Sequence, residues 1–129
     1  MKKGSLFLFS IPFLIAACNN TASDSVEKAN SANEAKQDSP SSRPGISTDA
    51  ATTSFLVDAA NGGMAEVKLS ELAQQKGTNS GVKMFAGMMV NDHSGANATV
   101  KSLAGQRNVT LPAVPGDDNQ KKADDLSKK

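Results

Sequence analysis

The sequence predicts an all-α fold: a long antiparallel helical hairpin behind a disordered N-terminal tether. Two stretches of about 27 residues repeat apolar side chains at alternating steps of four and three, the spacing of one helix face. Only Gly77-Thr78-Asn79-Ser80 separates them, and so short a break folds two helices back on each other. The thirty residues before them hold no aromatic and almost no branched aliphatic side chain. Such a segment cannot bury enough surface to offset the entropy of ordering it.

The chain of 129 residues has room for one small domain. Residues 1–17 read as a leader, not as fold. Lys2 and Lys3 are followed by an apolar run, Leu6 to Ala17, too short to span a bilayer as a stable helix. The run ends Ile15-Ala16-Ala17-Cys18. A branched residue, two small ones and a cysteine form a bacterial lipoprotein cleavage site. The peptidase grips an extended backbone there, and the thiol takes the lipid. Cys18 is the expected lipidation residue. As the single cysteine, it leaves no intramolecular disulfide to form. The expected product is anchored to a membrane through its N-terminal lipid and does not cross it. Asn19 is not the Asp of inner-membrane retention, so the cell envelope is the expected location and the outer membrane the favoured side.

Residues 18–48 are expected to be the tether, with about 30 Å of reach from the lipid. A weak Ala-containing helix near 25–37 is the other reading of that segment and leaves the role unchanged. Residues 49–129 are the expected helical domain. Asp49 can cap the first helix. Its seam runs Phe55, Ala59, Gly62, Glu66, Leu69, Ala73, widened by Leu56, Ala60, Val67 and Leu72. Gly62-Gly63 costs roughly 2 kcal/mol against Ala-Ala in a helix interior, so the pair marks a kink or a close approach of another backbone; close packing is preferred. Gly77 suits the C-terminus and Ser80 the next cap. The second helix, 81–107, carries Val82, Ala86, Met89, His93, Ala96, Val100 and Leu103 on its seam, flanked by Phe85 and Ala104. Pro112 and Pro115 keep 108–116 from being helical throughout. Gly116-Asp117-Asp118 opens a third helical stretch.

His93 is the only histidine, and it lies in mid-seam. Glu66 is the only charged residue in the first helix's seam series. Counted from the loop centre, the two fall within about two residues of the same height, ~3 Å along the axis. Three readings stay open. One is a buried Glu66–His93 hydrogen-bonded pair that satisfies two polar groups and fixes register. Another is a metal site, or the remnant of one, with ligands from facing helices. In the third, Glu66 reaches the solvent edge and His93 is only half-buried. One carboxylate and one imidazole are too few to specify a metal, so no cofactor is expected. Asp92 is about 100° round the helix and faces outward or sideways. Met84, Met88 and Met89 near an imidazole raise copper, but methionines at helical spacing are better read as core filler.

Composition excludes several classes. Without Lys2 and Lys3, two of 14 basic residues, the chain has 12 basic against 13 acidic side chains, all scattered. No basic patch for nucleic acid exists, and Phe55 and Phe85 make no stacking platform. No nucleophile constellation, phosphate loop or paired-histidine motif is present, and no enzymatic activity is expected.

FLVDAANGGMAEVKLSELAQQKG, then VKMFAGMMVNDHSGANATVKSLA, then NVTLP resemble the bacterial family known as domain of unknown function 4142, over about residues 53–129. Phe55, Ala59, Glu66, Leu72-Ala73, Val82-Lys83, Phe85-Ala86, Met89-Val90, Asp92-His93 and Leu111-Pro112 carry the likeness. The resemblance implies an exported ferritin-like four-helix bundle with no agreed activity, of which this chain holds the first half. Family members continue through two further long helices, so the chain is expected to be truncated at its C-terminus. Ferritin-like di-iron sites use Glu-x-x-His, and Val90 stands three before His93, which breaks that motif. A lone hairpin leaves its second apolar flank in water. Homodimerisation that completes a four-helix bundle is therefore the expected partnership, alternatively poor stability.

Overall fold

The computed structural model describes residues 24–37 and 48–129. The expected leader, 1–17, the lipidation residue Cys18 and the rest of the tether, 19–23 and 38–47, lie outside the described residues. Those that are described hold four helices and no strand: α1 (Ser25–Gln37), α2 (Ala50–Lys76), α3 (Ser80–Gln106) and α4 (Asp117–Ser127).

The two long rods and their turn form as the periodicity predicts. Asp49 caps α2 by accepting from the Thr52 backbone N–H at 2.8 Å and from its hydroxyl at 2.7 Å. The Thr52 amide, then its hydroxyl, holds the Asp49 carboxyl below the ordinary carboxylate value. Gly77 ends α2 without turning left-handed, at φ −61°. Glycine is required there by proximity: a Cβ would stand 2.5 Å from the Ala73 carbonyl oxygen. The cap of α3 is Asn79, one residue before the expected Ser80; its side-chain oxygen accepts from the Gly81 and Val82 amides. Asn79 already has the extended backbone of a cap, which places Ser80 inside the first turn.

A left-handed residue, Asn108 at φ 54°, closes α3. The Val109 N–H returns to the Ala104 carbonyl and the Asn108 N–H to that of Gly105, the two crossed bonds of a Schellman cap. Its hydrophobic contact follows, because Ala104 and Val109 both enter the core. From there 109–116 runs on as an irregular segment, and α4 opens at Gly116, whose N–H donates to Asn61 Oδ1 at 2.8 Å. The pairs Asn61–Asn119, Lys68–Gln120 and Lys76–Ser127 lay α4 alongside α2 in the same direction.

Over 25–37 the helical alternative forms in place of a disordered tether: α1 spans Ser25–Gln37. It is a helix docked on α2 and on the α3–α4 connection. Asn33, only 4% exposed, accepts the Thr110 N–H at 2.7 Å and donates to the Thr110 carbonyl at 2.9 Å. The side-chain amide thus completes the backbone of a segment 77 residues away. Lys36 bonds the Asn108 carbonyl and the Thr110 hydroxyl. Ser25 and Asp24 take the amides of Ala113, Val114 and Asp117. One small core results: Ala29 from α1, Leu56 and Val57 from α2, Ala104 from α3 and Val109, with Val26, Val100 and Leu111 packed against it.

The seams are rotated from the predicted ones. In α2 the buried positions are Thr53, Leu56, Val57, Ala60, Gly63, Ala65 and Ser70, while Phe55 is 67% exposed and Glu66 also lies in water. In α3, Ala86 and Ala104 are buried, but Val82, Phe85, Ala96 and Leu103 are exposed. The apolar stripe of each helix is wider than one hairpin contact. The small residues take the close contact, which lets the backbones approach, and the large ones fall to the flank. Gly63 shows the closeness directly: a Cβ there would stand 2.0 Å from Asn97 Oδ1, whereas at Gly62 it would meet nothing within 4 Å. Close packing therefore explains Gly63 alone.

Candidate functional site

Glu66 and His93 meet. The imidazole Nδ1 of His93 lies 2.6 Å from Glu66 Oε2, at mid-height of the α2–α3 hairpin. Two other contacts, Gly63–Asn97 and Gln74–Gly87, keep the same antiparallel register on either side, so the meeting is set by the whole hairpin. With an acceptor-only carboxylate opposite, Nδ1 carries the proton and donates. The distance is that of a charge-assisted bond.

The pair is not buried. The side chains of His93 and Glu66 are 29% and 48% exposed, which corrects the buried-pair reading: the bond forms, but at the flank of the hairpin. The cause is the rotation of the α2 seam toward Gly63 and Ala60, which turns Glu66 out of the contact line. Met84 and Met88, read as core filler, are 68% and 52% exposed, and Met89 is half-buried. Asp92 faces solvent.

Among the described residues no three His, Cys, Asp or Glu side chains stand close enough together to hold a metal. Val90 removes the Glu-x-x-His motif, and the two donors of this chain do not fit a di-iron centre. What Glu66 does accomplish is to orient the imidazole and fix its tautomer, leaving Nε2 as the free ring nitrogen.

Sequence reasoning missed a second feature. A groove of about 530 Å³ opens on the other side of the hairpin, between α2, α3 and the segment after α3. Ala60, Met64, Asn97, Leu111 and Pro112 line it, and Lys101 is its one charged lining residue. Only the proline-broken LPAVP run hinted that this segment would leave α3 and stand off from it.

No described helix is long and apolar enough to cross a membrane. The fold and this pair define a small all-helical module with one acid–imidazole contact between its two long helices. Residues 20–129 match the family model described as domain of unknown function (DUF4142), and the chain belongs to that family. The match reaches further toward the N-terminus than the resemblance did. It takes in α1, in keeping with a helix that contributes Ala29 to the core. No curated protein matches the chain, and no solved structure does.

Proposed function

We propose that this chain is a lipid-anchored protein of the bacterial envelope, with a non-enzymatic helical bundle of ferritin-like ancestry held outside the bilayer. The observation that carries the reading is Ile15-Ala16-Ala17-Cys18 closing an apolar run behind Lys2-Lys3. Charge, run length, small residues and cysteine position agree there on one processing chemistry. A lipid on Cys18 would supply the membrane anchor, and no described helix is long and apolar enough to cross a bilayer. Asn19 in the second mature position favours the outer membrane. The ferritin-like part is supported by two 27-residue helices packed antiparallel with an acid and an imidazole facing across their middle.

Fractionation of cells expressing the wild type and a Cys18→Ser chain whose residues 1–17 are replaced by a leader cleaved without a cysteine tests the anchor. The wild type is expected in the membrane fraction, released by detergent, and Cys18→Ser in the soluble fraction. A Cys18→Ser chain that stays with the membrane overturns the reading.

A further inference from the structure

The described residues cover the hairpin unevenly. α1, α4 and the segment after α3 all lie against one side and one edge of it: Lys68 and Lys76 of α2 reach α4, and Lys101 of α3 lines the groove. At 100° per residue, the remaining side carries Phe55, Ala59, Glu66 and Ala73 from α2. From α3 it carries Val82, Phe85, Met89, His93, Ala96 and Leu103. No described residue covers it. Phe55, Val82, Phe85 and Leu103 are 67%, 49%, 58% and 41% exposed there, and the Glu66–His93 pair sits at its centre.

We propose that a second copy of this chain docks on that face, about a two-fold axis running along the hairpin, to make an up-down-up-down four-helix bundle. The area suffices: two helices ~40 Å long, packed 8–10 Å apart, present a strip of roughly 800 Å². That is one partner's share of a standard stable interface. The hairpin register makes the face self-complementary. Phe55 stands within about one turn of the height of Leu103, and Ala73 within about one turn of Phe85, by the Gly63–Asn97 and Gln74–Gly87 contacts. An axis along the bundle lays α3 of one copy over α2 of the other at equal height, so large side chains meet Leu103 at one end and the small Ala73 receives Phe85 at the other. At mid-height the two acid–imidazole pairs face each other. Nδ1 and Oε2 are already bonded within each copy, which leaves Nε2 and the second carboxylate oxygen as acceptors for water held between the two copies.

Charge favours a second copy over an anionic lipid surface, because none of the four lysines of α2 and α3 lies on the face. Lys68 and Lys76 bind α4, Lys83 lies over Gly77 and Lys101 lines the groove.

Sedimentation velocity at micromolar concentration tests this on the processed Cys18→Ser chain without residues 1–17, so that neither lipid nor the apolar leader contributes to self-association. Twice the chain mass is expected. Phe85→Lys and Phe55→Lys each weaken the dimer tenfold or more with helicity unchanged by circular dichroism. Met84→Lys, on the back of α3 and equally exposed, leaves it intact. A fully helical wild-type monomer overturns the proposal, as does a dimer that Phe85→Lys and Phe55→Lys leave untouched. Monomeric chain that pellets with phosphatidylcholine vesicles, and loses this in Phe85→Lys, reassigns the face to lipid and likewise overturns it. The result is independent of where Cys18→Ser fractionates in cells.

Discussion

Gly62 and Gly63 are neighbours in sequence and opposite in consequence. Each removes about 1 kcal/mol of helix propensity relative to alanine. At Gly62 a methyl group meets open space, so Gly62→Ala is expected to stabilise the fold by up to about 1 kcal/mol. At Gly63 the same methyl would stand 2.0 Å from the Asn97 side-chain oxygen, so that side chain would have to leave the helix contact for the groove it lines. Gly63→Ala is therefore expected to be destabilising by about 1–3 kcal/mol, as overpacked contacts are. Urea melts of the two variants check the contrast: midpoints moving in the same direction would disprove the close-approach account of Gly63. At this scale the sequence was informative about chemistry and weak about direction. Symmetry about a short loop put Glu66 level with His93 without any coordinates. A 3.6-residue period also assigns a face only to within about one residue, and that margin separates a buried carboxylate from one 48% exposed.

Among the elements, α2, α3, their turn and the start of α4 were legible because each is specified locally. An Asp cap, a Gly exit, an Asn cap and a Gly-Asp-Asp entry follow each other along the chain. α1 was legible only as the alternative to a disordered tether, because nothing local specifies it strongly. Its sequence, SVEKANSANEAKQ, is polar all round. What holds it is Asn33 pairing with Thr110, and Ala29 fitting a slot shared by Leu56, Val57, Ala104 and Val109. An asparagine and an alanine carry no sign in sequence that they will be 4% and 2% exposed. The same contact makes a sharp prediction. Asn33→Ala leaves the Thr110 amide and carbonyl without their partners in a partly buried place, at a cost of about 1–3 kcal/mol. Hydrogen exchange should then quicken across 25–37 and around Thr110, while the central turns of α2 and α3 keep their protection. Uniform quickening through all four helices would mean that α1 is not a separable element.

For the molecule as a whole, the core is small, and it is shared. Leu56, 3% exposed, and Val57, 1% exposed, sit where α1, α3 and the segment after α3 converge on α2, so one side chain touches nearly every element. The large residues that might have enlarged this core, Phe55 and Phe85 among them, are spent on the open face. A fold of this size that keeps both phenylalanines of its described residues outside has little stability in reserve. Leu56→Ala removes about three buried carbons from the junction and leaves a cavity that α1, tied down at Asn33 and Ser25, cannot collapse to fill. The expected loss is about 3 kcal/mol, within the range of buried leucine truncations. Because the junction is common to the elements, the loss should appear as one transition at a lower urea midpoint with an unchanged slope. If the proposed dimer forms, that midpoint rises with protein concentration in the wild type and in Leu56→Ala alike, since Leu56 faces away from the open side. A concentration dependence lost in Leu56→Ala while its helicity is retained would place Leu56 at the docking face and contradict the geometry described for it.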